Sequence, residues 1–173
     1  TPALSIRPPR RDDSRTQLSV AEYCARAREL RPQFQTQLLA WLRASGDTAP
    51  LSAIAAIFDE LEVRTNLGAL EQLFWVAGGL VEALIDGGLN AAAETKKHLT
   101  RIDQLVKRVV DGADKTQVRT ACESLTRAML FDLAHAATTG PKVVALRRAF
   151  ALDVWLSAND AASEAQAHGR PTP

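Results

Sequence analysis

Apolar residues in this chain recur at intervals of three and four and never settle into a sustained alternation of two, which excludes a β-sheet of any size. Val20, Cys24, Ala27, Leu30, Phe34, Leu38 and Trp41 form a first stripe that keeps its register through Pro32. A proline inside a helix costs about 3 kcal/mol, so the spacing predicts either a kink near Arg31 or a second, colinear helix starting there. Gly46 closes this unit. Pro50 suits the first turn of the next helix, whose inner face is Leu51, Ile54, Phe58 and Leu61. Asn66 is placed to cap a third helix with the cleanest stripe of the chain: Leu67, Leu70, Phe74, Ala77, Val81 and Leu84. Gly78 and Gly79 lie in its middle and forgo about 1–2 kcal/mol of helix propensity, which predicts that another helix packs unusually close.

Gly87 and Gly88 end that helix, and Asn90 is placed to cap a fourth, with Leu99, Ile102, Val106 and Val109 inside and Lys96, Lys97, Arg101, Lys107 and Arg108 on the opposite side. A fifth helix is expected from Thr116 through Val118, Cys122, Leu125, Met129 and Leu133, stopping before Gly140 and Pro141. A last one, Val143 to Leu156, carries Leu146, Phe150 and Trp155. Connections this short favour antiparallel neighbours, so the fold class expected is all-α, an up-and-down bundle of about five to seven helices.

The ends read differently from the body. Residues 1–17 carry Pro2, Pro8, Pro9 and the charged cluster Arg10, Arg11, Asp12, Asp13. Residues 158–173 are mostly Ala, Ser, Gln, Gly and Pro. Both have the composition of linkers flanking a helical domain over 18–157. The chain begins at Thr1 and its only methionine is Met129, so a processed product or a piece of a longer protein is expected.

Lys plus Arg (21) and Asp plus Glu (20) cancel to a formal +1, which provides no long-range field to gather nucleic acid or an anionic membrane. Leu73 to Leu80, the longest apolar run, is too short to span a bilayer. Cys24 and Cys122 sit inside helix-period stripes as small apolar side chains, and with three scattered histidines they supply no zinc spacing. No metal or cofactor is expected, and the setting inferred is reducing and cytoplasmic.

Among candidate reactive groups, His98 ranks first, because a histidine midway along a bundle helix is how phosphotransfer domains accept phosphate from an aspartyl-phosphate receiver. The pattern in such domains is His-x-x-Lys-Gly, where the lysine neutralises the phosphoryl group and the glycine clears space for the receiver. Here it reads His98, Leu99, Thr100, Arg101, Ile102: Arg101 replaces the charge, whereas Ile102 fills the space. At 100° per residue His98 projects between Leu105 and Val109, inside the apolar arc. His135 follows Asp132 by nearly one turn, a spacing that can orient an imidazole, but no Ser or Cys nucleophile accompanies it. His168 lies in the tail. Trp75 sits one position off the Phe74 line, and tryptophan is enriched at interface hot spots, so Trp75 joins Lys96, Lys97, Arg101, Lys107 and Arg108 as a candidate interaction surface.

Three stretches carry a family resemblance: residues 27–43 (AREL RPQFQTQLLAWLR), 75–84 (WVAGGLVEAL) and 146–153 (LRRAFALD). They resemble the N-terminal region of the chemotaxis-like hybrid histidine kinases that govern type IV pili (ChpA or PilL) and the related FimL scaffold, over about residues 18–156. The resemblance implies a module descended from phosphotransfer bundles and used for docking in a system controlling twitching motility. Its implied partners are a response regulator or a polar hub protein, and recruitment to the cell pole would follow. It supplies no residue-level interface. The functional expectation is a non-catalytic scaffolding domain. The alternatives are a competent phosphotransfer domain using His98 with Arg101, and a homodimerisation domain packing through Trp75 and the glycine pair.

Overall fold

The computed structural model describes residues 4–9 and 15–158, and it turns these stripes into α1 (Val20–Arg43), α2 (Ala49–Arg64), α3 (Gly68–Asp86), α4 (Ala93–Val110), α5 (Lys115–His135) and α6 (Pro141–Ala149). Residues 152–158 add one more helical stretch, and no strand occurs among the described residues. The protein is therefore an all-α bundle.

Local chemistry sets the helix ends. Ser19, in extended conformation, caps α1 by accepting from the Glu22 amide at 3.2 Å, and its hydroxyl donates to the Glu22 carboxylate at 2.8 Å. The helix then runs unbroken past Pro32. Continuous burial of Leu30, Phe34, Leu38 and Trp41 along one face outweighs the hydrogen bond the proline forfeits. Helices α3, α4 and α5 follow Leu67, Ala92 and Asp114 rather than Asn66, Asn90 and Thr116. Gly87 ends α3 in the left-handed region at φ 81°, where a side chain would be strained.

The last helix departs most from expectation. The stretch from Val143 to Leu156 breaks at Phe150 and Ala151, and Ala151 takes a left-handed φ of 50°. That conformation costs about 1–2 kcal/mol for a residue with a Cβ. The break sends Phe150 against Trp75, with ring centroids 5.5 Å apart, and buries Leu152 completely. Burying two such side chains yields about 1.5–3 kcal/mol each, which covers the strain.

Helix neighbours form a closed ring in the order α1, α2, α3, α5, α4, with α6 laid outside on α3 and α5. Consecutive helices pack antiparallel except at one step: α3 and α4 do not touch, because residues 87–92 carry the chain across the end of the bundle. Helices α3 and α5 consequently run parallel, and their C-terminal ends meet where the Ala137 amide donates to the Gly88 carbonyl at 2.8 Å and Thr138 donates to Asp86. The core is centred on Phe58, packed between Phe34 (5.3 Å) and Phe74 (5.6 Å), with fully buried Trp41 nearby.

The glycine pair is a close-packing device. A Cβ on Gly79 would overlap Leu146 Cδ1 of α6, and one on Gly78 would meet Lys142 Nζ at 2.9 Å. Glu82, one turn further along α3, accepts from the Lys142 and Val143 amides at 3.2 and 3.0 Å and so caps α6 from outside it. The face proposed for homodimerisation is thus covered by α6 of the same chain. By length and composition α3 could cross a membrane, but 72% of its apolar window is buried among the other helices, as in a core helix.

The N-terminal stretch is not merely a linker. Leu4 and Ile6 pack against the core, and the buried Gln72 amide donates to both their carbonyls, at 3.0 and 2.6 Å. The composition count missed this docking because a few scattered residues carry it: Leu4 and Ile6 with the Gln72 amide, and Arg15 paired with Asp59 at 2.7 Å. Residues 159–173, including His168, lie outside the described residues.

Candidate functional site

Helix α4 is pinned on both flanks. On one side Arg31 of α1 grips Asp103, with Nε to Oδ1 at 3.1 Å and a terminal nitrogen to Oδ2 at 3.3 Å. On the other, His98 donates from Nε2 to the Asp132 carboxylate of α5 at 2.6 Å. His98 is only 4% exposed, and its Nδ1 finds no hydrogen-bond partner. The carboxylate that the sequence placed beside His135 therefore serves His98, across the helix interface. His135 is exposed, donates from Nδ1 back to the Phe131 carbonyl at 2.8 Å, and lies tilted against the Phe131 ring with centroids 4.7 Å apart. No base-catalytic Asp132–His135 pair forms.

A phosphoacceptor imidazole needs a free ring nitrogen open to solvent and room for in-line approach. His98 provides neither, since Nε2 is occupied by Asp132 and the unpartnered Nδ1 is enclosed with the rest of the ring. Arg101 is exposed while His98 is buried, so the two do not make a common surface. Ile102, at the position where the phosphotransfer pattern has glycine, is fully buried. Its side chain belongs to the core instead of obstructing a docking face.

Trp75 also leaves the surface set. It is 5% exposed, ring to ring with Phe150, because the break after α6 folds that phenylalanine onto it. Lys97, Arg101, Lys107 and Arg108 are exposed and Lys96 half-buried. Lys97 pairs with Glu94 at 3.7 Å, and no ion pair joins Arg101, Lys107 or Arg108 to an acid among the described residues. Arg101 and Arg108 line a groove of about 280 Å³ between α4 and α5, together with Gln104, Leu105, Ala121, Ser124 and Leu125.

Sequence reading missed the α5 wall of this groove, although Ala121 and Ser124, which line it, continue at three- and four-residue spacing to Ala128 on one face. A stripe of small residues beside a basic stripe was the available signal. Among the described residues, no group of three or more His, Cys, Asp or Glu side chains could hold a metal ion. Burial pushes the Cys122 thiol up to about 12, so it stays protonated and unreactive in the core. Cys24 is half-buried and donates to the Val109 carbonyl at 3.2 Å.

Compared with known families, residues 19–164 match the profile described as the FimL scaffold protein second domain. Neither the curated proteins nor the solved structures contain a significant match to the chain.

Proposed function

Because the chain belongs to the family of FimL scaffold protein second domains, we propose that it is a non-catalytic docking domain of a chemosensory-like two-component system that regulates type IV pili and twitching motility. The observation that carries this reading is the state of His98. A histidine held at 2.6 Å by Asp132 and closed off from solvent serves the α4–α5 interface, not phosphoryl transfer. The family description as a scaffold supports the same division of labour, in which the domain holds partners and another protein performs the chemistry. In this reading the partner is a response regulator or a polar hub protein of the pilus system, and the domain acts in the cytoplasm, brought to the pole by that partner.

A docking domain that has no relay step binds its partner whether or not the partner carries phosphate. The purified chain mixed with receiver domains and hub proteins of its own pilus system is expected to form a stoichiometric complex with at least one of them on light-scattering chromatography. His98→Gln is expected to leave that complex intact. Absence of a complex with every such protein at high concentration would remove the docking reading.

A further inference from the structure

Helix α4 presents one solvent-facing stripe at three- and four-residue spacing: Lys97, Arg101, Gln104 and Arg108. Arg101 and Arg108 are two turns apart, about 10.5 Å along the axis. They point over the α4–α5 groove, and neither has an acidic partner among the described residues. The acids of these helices are engaged or placed elsewhere. Asp103 is held by Arg31, and Asp132 by His98. Glu123 falls 160° around α5 from Ala121 at 100° per residue, on the far flank. Arg101 and Arg108 therefore set uncompensated positive charge on the groove of a chain whose formal charge is only +1.

The other wall has a different character. Ala121, Ser124 and Ala128 offer little bulk, so a third helix can approach α5 closely. The same stripe continues to Phe131, which is 48% exposed although its neighbours Leu130 and Leu133 are fully buried. Phe131 touches His135 on one side and meets Trp155 edge-on at 5.9 Å on the other, and it lies beyond the groove's lining, two turns along α5 from Ser124. A cationic rim, a wall with small residues and an exposed aromatic ring further along the same face together match one kind of occupant.

We propose that the α4–α5 groove docks an acidic amphipathic helix of a partner protein, with carboxylates about two turns apart meeting Arg101 and Arg108 and an apolar edge resting on Ala121, Ser124 and Phe131. From Ala121 to Phe131 the strip measures about 15 Å, the length of nearly three helical turns. Nucleic acid is the poorer fit, because the strip is short and bounded by acids, Glu94 in the first turn of α4 and Asp111 just past its last residue. The inference rests on the docking reading above and gives it a surface and a partner chemistry.

The test uses the full chain and a labelled synthetic helix bearing Glu at positions seven apart with Leu on the adjoining face. A scrambled peptide of equal composition, oligo-uridine and phosphatidylglycerol vesicles serve as competitors. The designed helix is expected to bind best, with an affinity that falls as salt rises. The double variant Arg101→Glu, Arg108→Glu should weaken binding more than about tenfold, and Phe131→Ala about threefold or more, as expected for loss of central anchors. Arg43→Glu, at the end of α1, should leave it unchanged. Amide shifts in the wild-type chain should cluster on residues 101–108 and 121–131, which reads the site without relying on any variant's stability. Absence of binding, equal binding of the scrambled peptide, tighter binding of RNA or vesicles, or a footprint elsewhere would each overturn the proposal. If a receiver or hub protein still forms its complex in that event, the docking reading stands and its surface lies elsewhere.

Discussion

Phe58→Ala is expected to lower the unfolding free energy by about 3–5 kcal/mol, the range for truncating a buried aromatic side chain. The ring is completely buried and makes an edge contact with Phe34 of α1 and a tilted contact with Phe74 of α3. It therefore joins three helices at once, and the cavity left by its removal is walled by elements that cannot all move inward. Urea unfolding followed by far-ultraviolet circular dichroism measures the loss. Val20→Ala, at a position 49% exposed, should by contrast stay within about 0.5 kcal/mol of wild type. A loss below about 1 kcal/mol for Phe58→Ala would mean that the aromatic triplet is not the centre of the core.

Gly79→Leu should force the α3–α6 contact open by overpacking it. Even a Cβ there overlaps Leu146, which is itself fully buried, so an isobutyl group has nowhere to go unless α6 lifts away. Overpacking of this kind costs about 1–3 kcal/mol and at times more. The gain in helix propensity over glycine, under about 1 kcal/mol, offsets only part of it. α6 is nine residues long and depends on its outside contacts, so hydrogen exchange should show amides 143–150 losing protection before the rest of the bundle. Leu146→Ala alone also destabilises, by about 2–5 kcal/mol. Combined with Gly79→Leu it should restore at least about 1 kcal/mol relative to the sum, since the two substitutions act on one volume. Strict additivity would contradict the close approach.

The helical periodicity that makes Phe58 and Gly79 readable is local, and it carries over into the fold wherever a single helix decides the outcome. The stripes through Leu30, Phe34 and Trp41, and through Leu70, Phe74 and Val81, became buried faces, and the glycine pair became a close crossing. What the sequence hides is which helix lies beside which. The chain skips from α3 to α4 across the bundle end, and this step puts α4 against α5 and α1 while α5 runs parallel to α3. The proximity of Asp132 to His135 along the sequence suggested one pair, whereas that arrangement of helices produced another, with His98. Trp75 was one position off its stripe and looked available, but the left-handed turn at Ala151 brought Phe150 onto it. The inward aim of His98 followed from the angle between residues alone. The small-residue wall of the groove was visible as spacing, but it acquired meaning only once α4 was seen to lie alongside it.

The burial of His98 also sets this helical bundle apart from a phosphotransfer domain. In a relay domain the imidazole is a reactive surface group. In this chain it is a buried donor, and replacing its carboxylate partner would leave a polar nitrogen stranded in the core at a cost of about 1–3 kcal/mol. Structural use of the ring and phosphoryl transfer through it exclude one another so long as α4 and α5 stay packed.

The most direct test is therefore phosphoryl transfer itself. The purified chain is incubated with a radiolabelled phosphorylated receiver of the pilus system proposed above, beside His98→Gln, and both are assayed for acid-labile label. No label above background is expected on either protein while the receiver still binds. Acid-labile label on the wild-type chain that vanishes in His98→Gln would contradict that expectation and make His98 a relay residue.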